Sequence, residues 1–318
     1  MKANMKAKSA KLRIETGIVS LLLVAFSVTA QVPSSITGKS FGIRITGGTF
    51  PFAASGYYLF LPASSGNTYQ VIGIYNVANS SGTYLYTPTS ATTATVIFSD
   101  SVNGTIRGSM VFAASASGSF HVTADAAPGA YQDGNFEMFS GAVPTSLAGK
   151  KMRCLIDDGL SPFAFTGSFT FVAAASGNTY SIIGDGVSVA NSSGTYSYSL
   201  INSTTGSIQI SDSISGLSTV YVAFSDANTG GYAIKSSNGF QIGHFELLPS
   251  LQISRSGNRI VLSWPTNAVG FTMEYATNLP ATSWISNSSS PAIVSGQYNV
   301  TNTISDNARF YRLQKPQP

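Results

Sequence analysis

The chain has 318 residues, one Cys, 11% aromatic residues and a formal net charge of +4 from 17 Lys and Arg against 13 Asp and Glu. One cysteine excludes an intrachain disulfide framework, and the aromatic content excludes a disordered polar chain. The positive balance is local: Lys2, Lys6, Lys8, Lys11 and Arg13 all precede the first apolar run, with Glu15 the one acid among them.

These residues open a leader. An apolar run over 17–28 follows, and Val28-Thr29-Ala30 then precedes Gln31. A basic start, a short apolar core and a small-residue site predict a secretory signal peptide over 1–30. The run is too short for a span of about 20 residues, so no membrane span is expected after cleavage. The protein is expected to be exported, to the periplasm, the cell surface or the medium. From Gln31 onward twelve basic and twelve acidic residues remain. A neutral mature chain gives no electrostatic case for nucleic acid or an anionic membrane as partner.

Next come the repeats. SGNTY at 65–69 returns at 176–180, and VANSSGTY at 77–84 returns at 189–196. The offset is close to one domain length, which predicts a tandem duplication: a lead-in at 31–36 read as mobile, repeat one at 37–140, repeat two at 148–248, and a distinct segment at 249–318. Inside each repeat the apolar period is two, as in Phe41/Ile43/Ile45 and Phe120/Val122. Turn clusters bound strands expected near 40–46, 56–62, 68–74, 82–87, 93–99, 106–113, 117–123 and 133–139. Short connections make neighbours antiparallel, and an eight-stranded sheet with one apolar face can close on itself. The expected fold class is all-β: two tandem antiparallel eight-stranded barrel-like repeats, plus a small C-terminal β-sandwich. A flattened sandwich is the alternative for each repeat.

The run SGTYLYTPTSATTATVIFSD at 81–100, followed by a closing Gly134-x-Phe136-Glu137 strand, resembles small lipocalin-like (calycin-type) barrels of bacteria. The resemblance covers both repeats and implies an interior that often holds a small apolar ligand. The last segment resembles a short fibronectin type III-like module of exported bacterial proteins. The matching residues are Leu262-Ser263-Trp264-Pro265, the strand 271–275, Trp284 and the closing Phe310-Tyr311-Arg312-Leu313. Trp264 and Trp284 are expected to anchor its core.

Duplication is a filter for chemistry, because an essential group should stand in both copies. His121 faces Ala233 in the alignment and His244 faces Asn135, so neither passes, and both read as surface strand residues. No metal motif is present, and Asp157-Asp158-Gly159 reads as a turn. Asp100/Asp212 and Glu137/Glu246 do pass. The first pair is expected to cap turns, the second to be the solvent-facing neighbour of a core Phe. Cys154 matches Ile43 and is expected to be a buried small hydrophobe. No catalytic residue, metal ligand or cofactor is expected. The candidate ligand-binding residues are Tyr69, Tyr84 and Tyr86 with their counterparts Tyr180, Tyr196 and Tyr198, since Tyr offers flat amphipathic area at low entropic cost. Core packing is the competing reading for all six. A membrane barrel is disfavoured by strands shorter than about 9–11 residues.

The leading functional expectation is a non-catalytic surface or extracellular interaction protein, its duplicated modules adding avidity toward a polysaccharide or surface protein. The alternative is a lipocalin-like carrier of small apolar ligands, and a polysaccharide-acting enzyme ranks third.

Overall fold

The period-two segments become strands throughout. The computed structural model describes residues 31–287, 290–304 and 308–315, so the expected leader lies outside the described residues. Repeat one supplies β1 (Ser40–Gly48), β2 (Gly56–Pro62), β3 (Thr68–Tyr75), β4 (Ser80–Pro88), β5 (Thr93–Asp100), β6 (Gly104–Ala114), β7 (Ser117–Ala124) and β8 (Tyr131–Phe139). Repeat two supplies β9 (Lys151–Gly159), β10 (Ser168–Ala173), β11 (Thr179–Gly184), β12 (Ser192–Leu200), β13 (Thr205–Asp212), β14 (Gly216–Phe224), β15 (Thr229–Lys235) and β16 (Phe240–Leu248).

Each set of eight closes into an antiparallel barrel with its strands in chain order. Closure joins the first strand to the last: Ile43 lies opposite Phe136, and Cys154 opposite Phe245. The two interiors repeat each other in detail. Phe112 meets Phe136 edge-on at 5.0 Å, and Phe224 meets Phe245 edge-on at 4.9 Å. Cys154 is buried at its strand position, as expected.

Three expectations need correction. The lead-in is packed: Ile36 is 1% exposed, Val32 N–H donates to Ala91 O at 2.8 Å, and Pro33 O accepts from the Tyr86 hydroxyl. The link between repeats does the same, with Leu147 buried and Pro144 O accepting from Tyr198. VPSSI at 32–36 and VPTSL at 143–147 are therefore matching plugs for one end of each barrel. Asp157-Asp158-Gly159 is no turn but the end of β9, where a register shift opposite Ile242 and Gly243 turns the strand. Finally, β6 runs 11 residues, so strand length does not argue against a membrane barrel. On β6–β8 the outward positions Arg107, Ser109, His121 and Asp133 are polar. Among the described residues no helix is long and apolar enough to cross a membrane.

β2 reads GYYLFLP, an unbroken apolar run, because both its faces are covered. Tyr58 and Phe60 point into barrel one. Tyr57, Leu59 and Leu61 point outward and, with Ile74, form a second core with Ala233 and Phe240 of barrel two. Phe240 stacks on Tyr75 at 4.5 Å and tilts over Tyr57 at 5.2 Å. Buried polar groups complete this seam. Ser40 Oγ sits 2.7 Å from Thr204 Oγ1 and accepts from Thr205 Oγ1 at 2.6 Å. Lys235 Nζ donates to Gly73 O.

The C-terminal segment forms two small sheets. One holds β17 (Gln252–Ser256), β18 (Arg259–Pro265), β21 (Ala292–Val294) and β22 (Gln297–Thr303). The other holds β19 (Thr272–Ala276), β20 (Ile285–Ser286) and β23 (Phe310–Gln314). Trp264 anchors their shared core beside Leu262, Met273 and Val300. Trp284 does not join that core; it lies under the Arg312 guanidinium, 4.3 Å from ring centroid to Cζ. Glu137 and Glu246, expected only as outward neighbours of Phe136 and Phe245, each reach the next module. Glu137 accepts from His244 of barrel two, and Glu246 pairs with Lys315 of the last strand region.

Candidate functional site: two matched cups

Plugged at one end, each barrel keeps a cavity toward the other, of 190 Å³ in barrel one and 260 Å³ in barrel two. The walls match position by position. Phe60, Tyr69, Val71 and Phe98 of the first cup stand where Phe171, Tyr180, Ile182 and Ile210 stand in the second. The β1–β2 and β9–β10 loops contribute Pro51-Phe52-Ala53 and Pro162-Phe163-Ala164, each entered through a cis peptide at the Pro.

The polar part of each wall is built on one rung. Tyr69 lies across from Gly82, and Gly82 across from Asp100. Tyr180, Gly194 and Asp212 repeat that rung. With no side chain on the middle strand, the phenol crosses it and donates to the carboxylate at 2.6 Å in barrel one and 2.8 Å in barrel two. A Cβ on Gly82 would stand 1.9 Å from Ser99 O and 3.2 Å from the Tyr69 ring; on Gly194 it would stand 2.0 Å from Ser211 O. This is the physical reason why both copies read SSGTY.

Each carboxylate is then saturated. Asp100 Oδ2 also accepts from Ser80 Oγ at 2.7 Å. Its Oδ1 accepts from the N–H groups of Val102 and Asn103 and from Asn103 Nδ2. Asp212 does the same with Ser192, Ile214 and Ser215, the last through both N–H and Oγ. Burial raises each acid's pKa, but the donors outweigh it and leave both below the usual Asp value. Burial and the acid beside it push the Tyr69 and Tyr180 phenols far above theirs. The turn-capping role expected for Asp100 and Asp212 is present and is half of what they do. Ser80 and Ser192 were missed, although both stand in the repeated NSSG word.

The six candidate tyrosines divide. Tyr69 and Tyr180 line the cups. Tyr84 and Tyr196 are buried in the barrel cores, with the Tyr84 hydroxyl 3.1 Å from Thr37 Oγ1 at the plug. Tyr86 and Tyr198 hold the plugs through the Pro33 and Pro144 carbonyls, and burial raises both phenols to about 12. Sequence repetition alone could not separate cup residues from plug residues, because both are equally periodic.

Around the mouths stand exposed apolar side chains: Phe50 and Val102 on barrel one, and Phe165, Val187 and Ile214 on barrel two. Val102 and Ile214 occupy the same turn position in the two copies.

A third cavity of 420 Å³ lies in the seam between barrels. At its edge His244 is held between Glu137 at 2.8 Å and Asp157 at 2.6 Å, one acid from each barrel. The bond to Glu137 leads the causes that raise His244 to about 9, against a lowering by burial. Read from sequence as a surface strand histidine, it is a clamp; the acid it meets on barrel one, Glu137, lies 107 residues away. No group of three or more His, Cys, Asp or Glu among the described residues could hold a metal ion.

Searches with protein-family models, among curated proteins and among solved structures gave no match to this chain.

Proposed function

We propose that each barrel is a cup for one small, neutral, largely apolar ligand, and that the chain is an exported, non-catalytic carrier with two such sites. The observation that carries this reading is the pair of matched cavities, of 190 and 260 Å³. An apolar cavity of about 150 Å³ takes up benzene, whereas drug-sized ligands need about 300–1,000 Å³. One ring or a short acyl chain is therefore the right size. Binding would be driven by removing apolar surface from water, at about 25 cal/mol per Å².

Several features support the reading. The eight-stranded barrels with strands in chain order and one plugged end resemble lipocalin-like barrels, where that architecture holds small ligands. Exposed apolar side chains at the mouths suit transfer from a greasy donor. Asp100 and Asp212 have their acceptor positions filled, which leaves no free carboxylate in the cups for acid–base chemistry. The basic, apolar and small-residue order of 1–30 supports export. The two small sheets around Trp264 are read as the fibronectin type III-like module suggested by the sequence.

Isothermal calorimetry with toluene tests the proposal. Uptake of two equivalents with a negative heat-capacity change is expected, since apolar burial carries that signature. No uptake by folded protein would overturn it.

A further inference from the structure

At two wall positions the cups exchange a phenol for a phenyl ring, and the exchanges are reciprocal. Cup one has Tyr58 where cup two has Phe169, and Phe120 where cup two has Tyr232. Each cup thus carries one more phenol in its wall, on β2 in the first and on β15 in the second. The phenols are used differently. Tyr232 packs edge-on against Phe169 at 5.9 Å and donates to Gln241 Oε1 at 3.2 Å. Gln241 in turn donates to Ala164 O at 2.8 Å, so the second phenol is tied into the wall. The Tyr58 hydroxyl makes no hydrogen bond to another described residue and lines the cavity. The Tyr58 ring is packed against the core of barrel one.

The Tyr58 hydroxyl is thus left for whatever occupies the cup: a ligand group that accepts from it gains a hydrogen bond that an unsubstituted ring cannot make. The Asp100 carboxylate cannot accept from it, since five donors already occupy that group. Its charge is nevertheless felt: after burial, it is the second cause that pushes the Tyr58 phenol well above its ordinary pKa. Tyr58 therefore stays a neutral donor. The same negative field disfavours an anionic ligand. A group that accepts from Tyr58 in this place should itself be uncharged, and a hydroxyl fits best. It can accept from Tyr58 and turn its proton toward the acceptor lone pairs left on Tyr69 and Ser80, which both line the cup.

We infer that the two cups are specialised: cup one selects a small apolar compound bearing one neutral hydroxyl, such as a phenol, with Tyr58 as the specificity-determining residue, while cup two takes the unsubstituted apolar counterpart. This rests on the reading of the cups as ligand sites.

Calorimetry on the full chain with p-cresol and with toluene separates the two ideas. The wild-type protein should bind p-cresol at one site about tenfold more tightly than at the other, the worth of one buried hydrogen bond. Tyr58→Phe should remove that preference at the tight site and leave toluene binding equal or stronger. Phe169→Tyr should raise p-cresol affinity at the second site. Folding of each variant is checked by circular dichroism and by retained toluene uptake. If Tyr58→Phe takes up toluene but keeps the tenfold preference for p-cresol, the specialisation is wrong and the cups stand. If the wild-type protein takes up neither compound, the cup reading fails and the specialisation with it.

Discussion

Barrel one and barrel two share a skeleton although most of their aligned strand residues differ. The shared part is what closing a sheet and hanging a phenol on a carboxylate require: the plug, the Tyr–Gly–Asp rung, the Ser and the Phe pair. Part of what differs faces the neighbouring barrel. His121 of barrel one bonds Asp133 on its own surface, whereas its counterpart Ala233 is buried against barrel one. Asn135 has no counterpart role to His244, which clamps two acids across the seam. The repeats keep the fold's requirements twice, while the residues at the seam diverge.

The comparison can be broken at the seam first. Phe240→Ala removes the ring that stacks on Tyr75 and leaves a cavity in a core shared by both barrels. A loss of about 3–5 kcal/mol is expected, with one calorimetric transition splitting into two. A single unchanged transition would show that the barrels do not support each other.

Asp100→Asn and Asp212→Asn sharpen the likeness. Each weakens a set of charge-assisted hydrogen bonds, and about 2 kcal/mol is expected from either. Near-equal losses in urea melts are the expected result, and a loss in one copy alone would contradict the matched geometry. The pH dependence follows from the lowered carboxyl pKa values. This stability is present above the unfolded Asp value of about 3.9 and is lost as pH falls through the lower folded values. Both barrels should therefore lose it over the same acid range.

His244 gives a smaller effect of opposite sign. Its folded pKa is raised to about 9. The contribution is complete below the unfolded value of about 6.5 and disappears as pH rises through the folded one. Both partners are half exposed to solvent, so about 1 kcal/mol is expected after screening. His244→Gln should flatten the pH dependence of the melting temperature between the unfolded value of about 6.5 and the folded value of about 9. A slope unchanged by the substitution would remove the clamp.

The smallest effect belongs to the mouths. Ile214→Ser changes an exposed side chain and should shift stability by less than about 0.5 kcal/mol, while slowing toluene uptake by barrel two. A large loss of stability would mean that this residue is part of the core.

Much of this was legible in the residues. Repeated words and a period of two placed nearly every barrel strand, and the Asp before each Ser-rich turn marked its cap. The plugs were also written twice, as VPSSI and VPTSL, yet they sit outside the strands, where a proline-bearing segment reads as loose chain. The seam was hidden for a different reason. Its residues are those on which the copies disagree, so a filter for agreement discards them: His244, Ala233 and the outward face of β2. Trp284 misled because a bulky ring suggests a core, whereas an Arg guanidinium covers it as well. The cup tyrosines could not be told from the plug tyrosines because strand periodicity gives the face of a residue, not its height in the barrel.

The most direct measurement is a crystal structure of the protein soaked with toluene. Ordered ligand in both barrels, beside Tyr69 in one and Tyr180 in the other, is the expected result. Well-ordered barrels whose interiors exclude the compound at saturating concentration would contradict two matched cups.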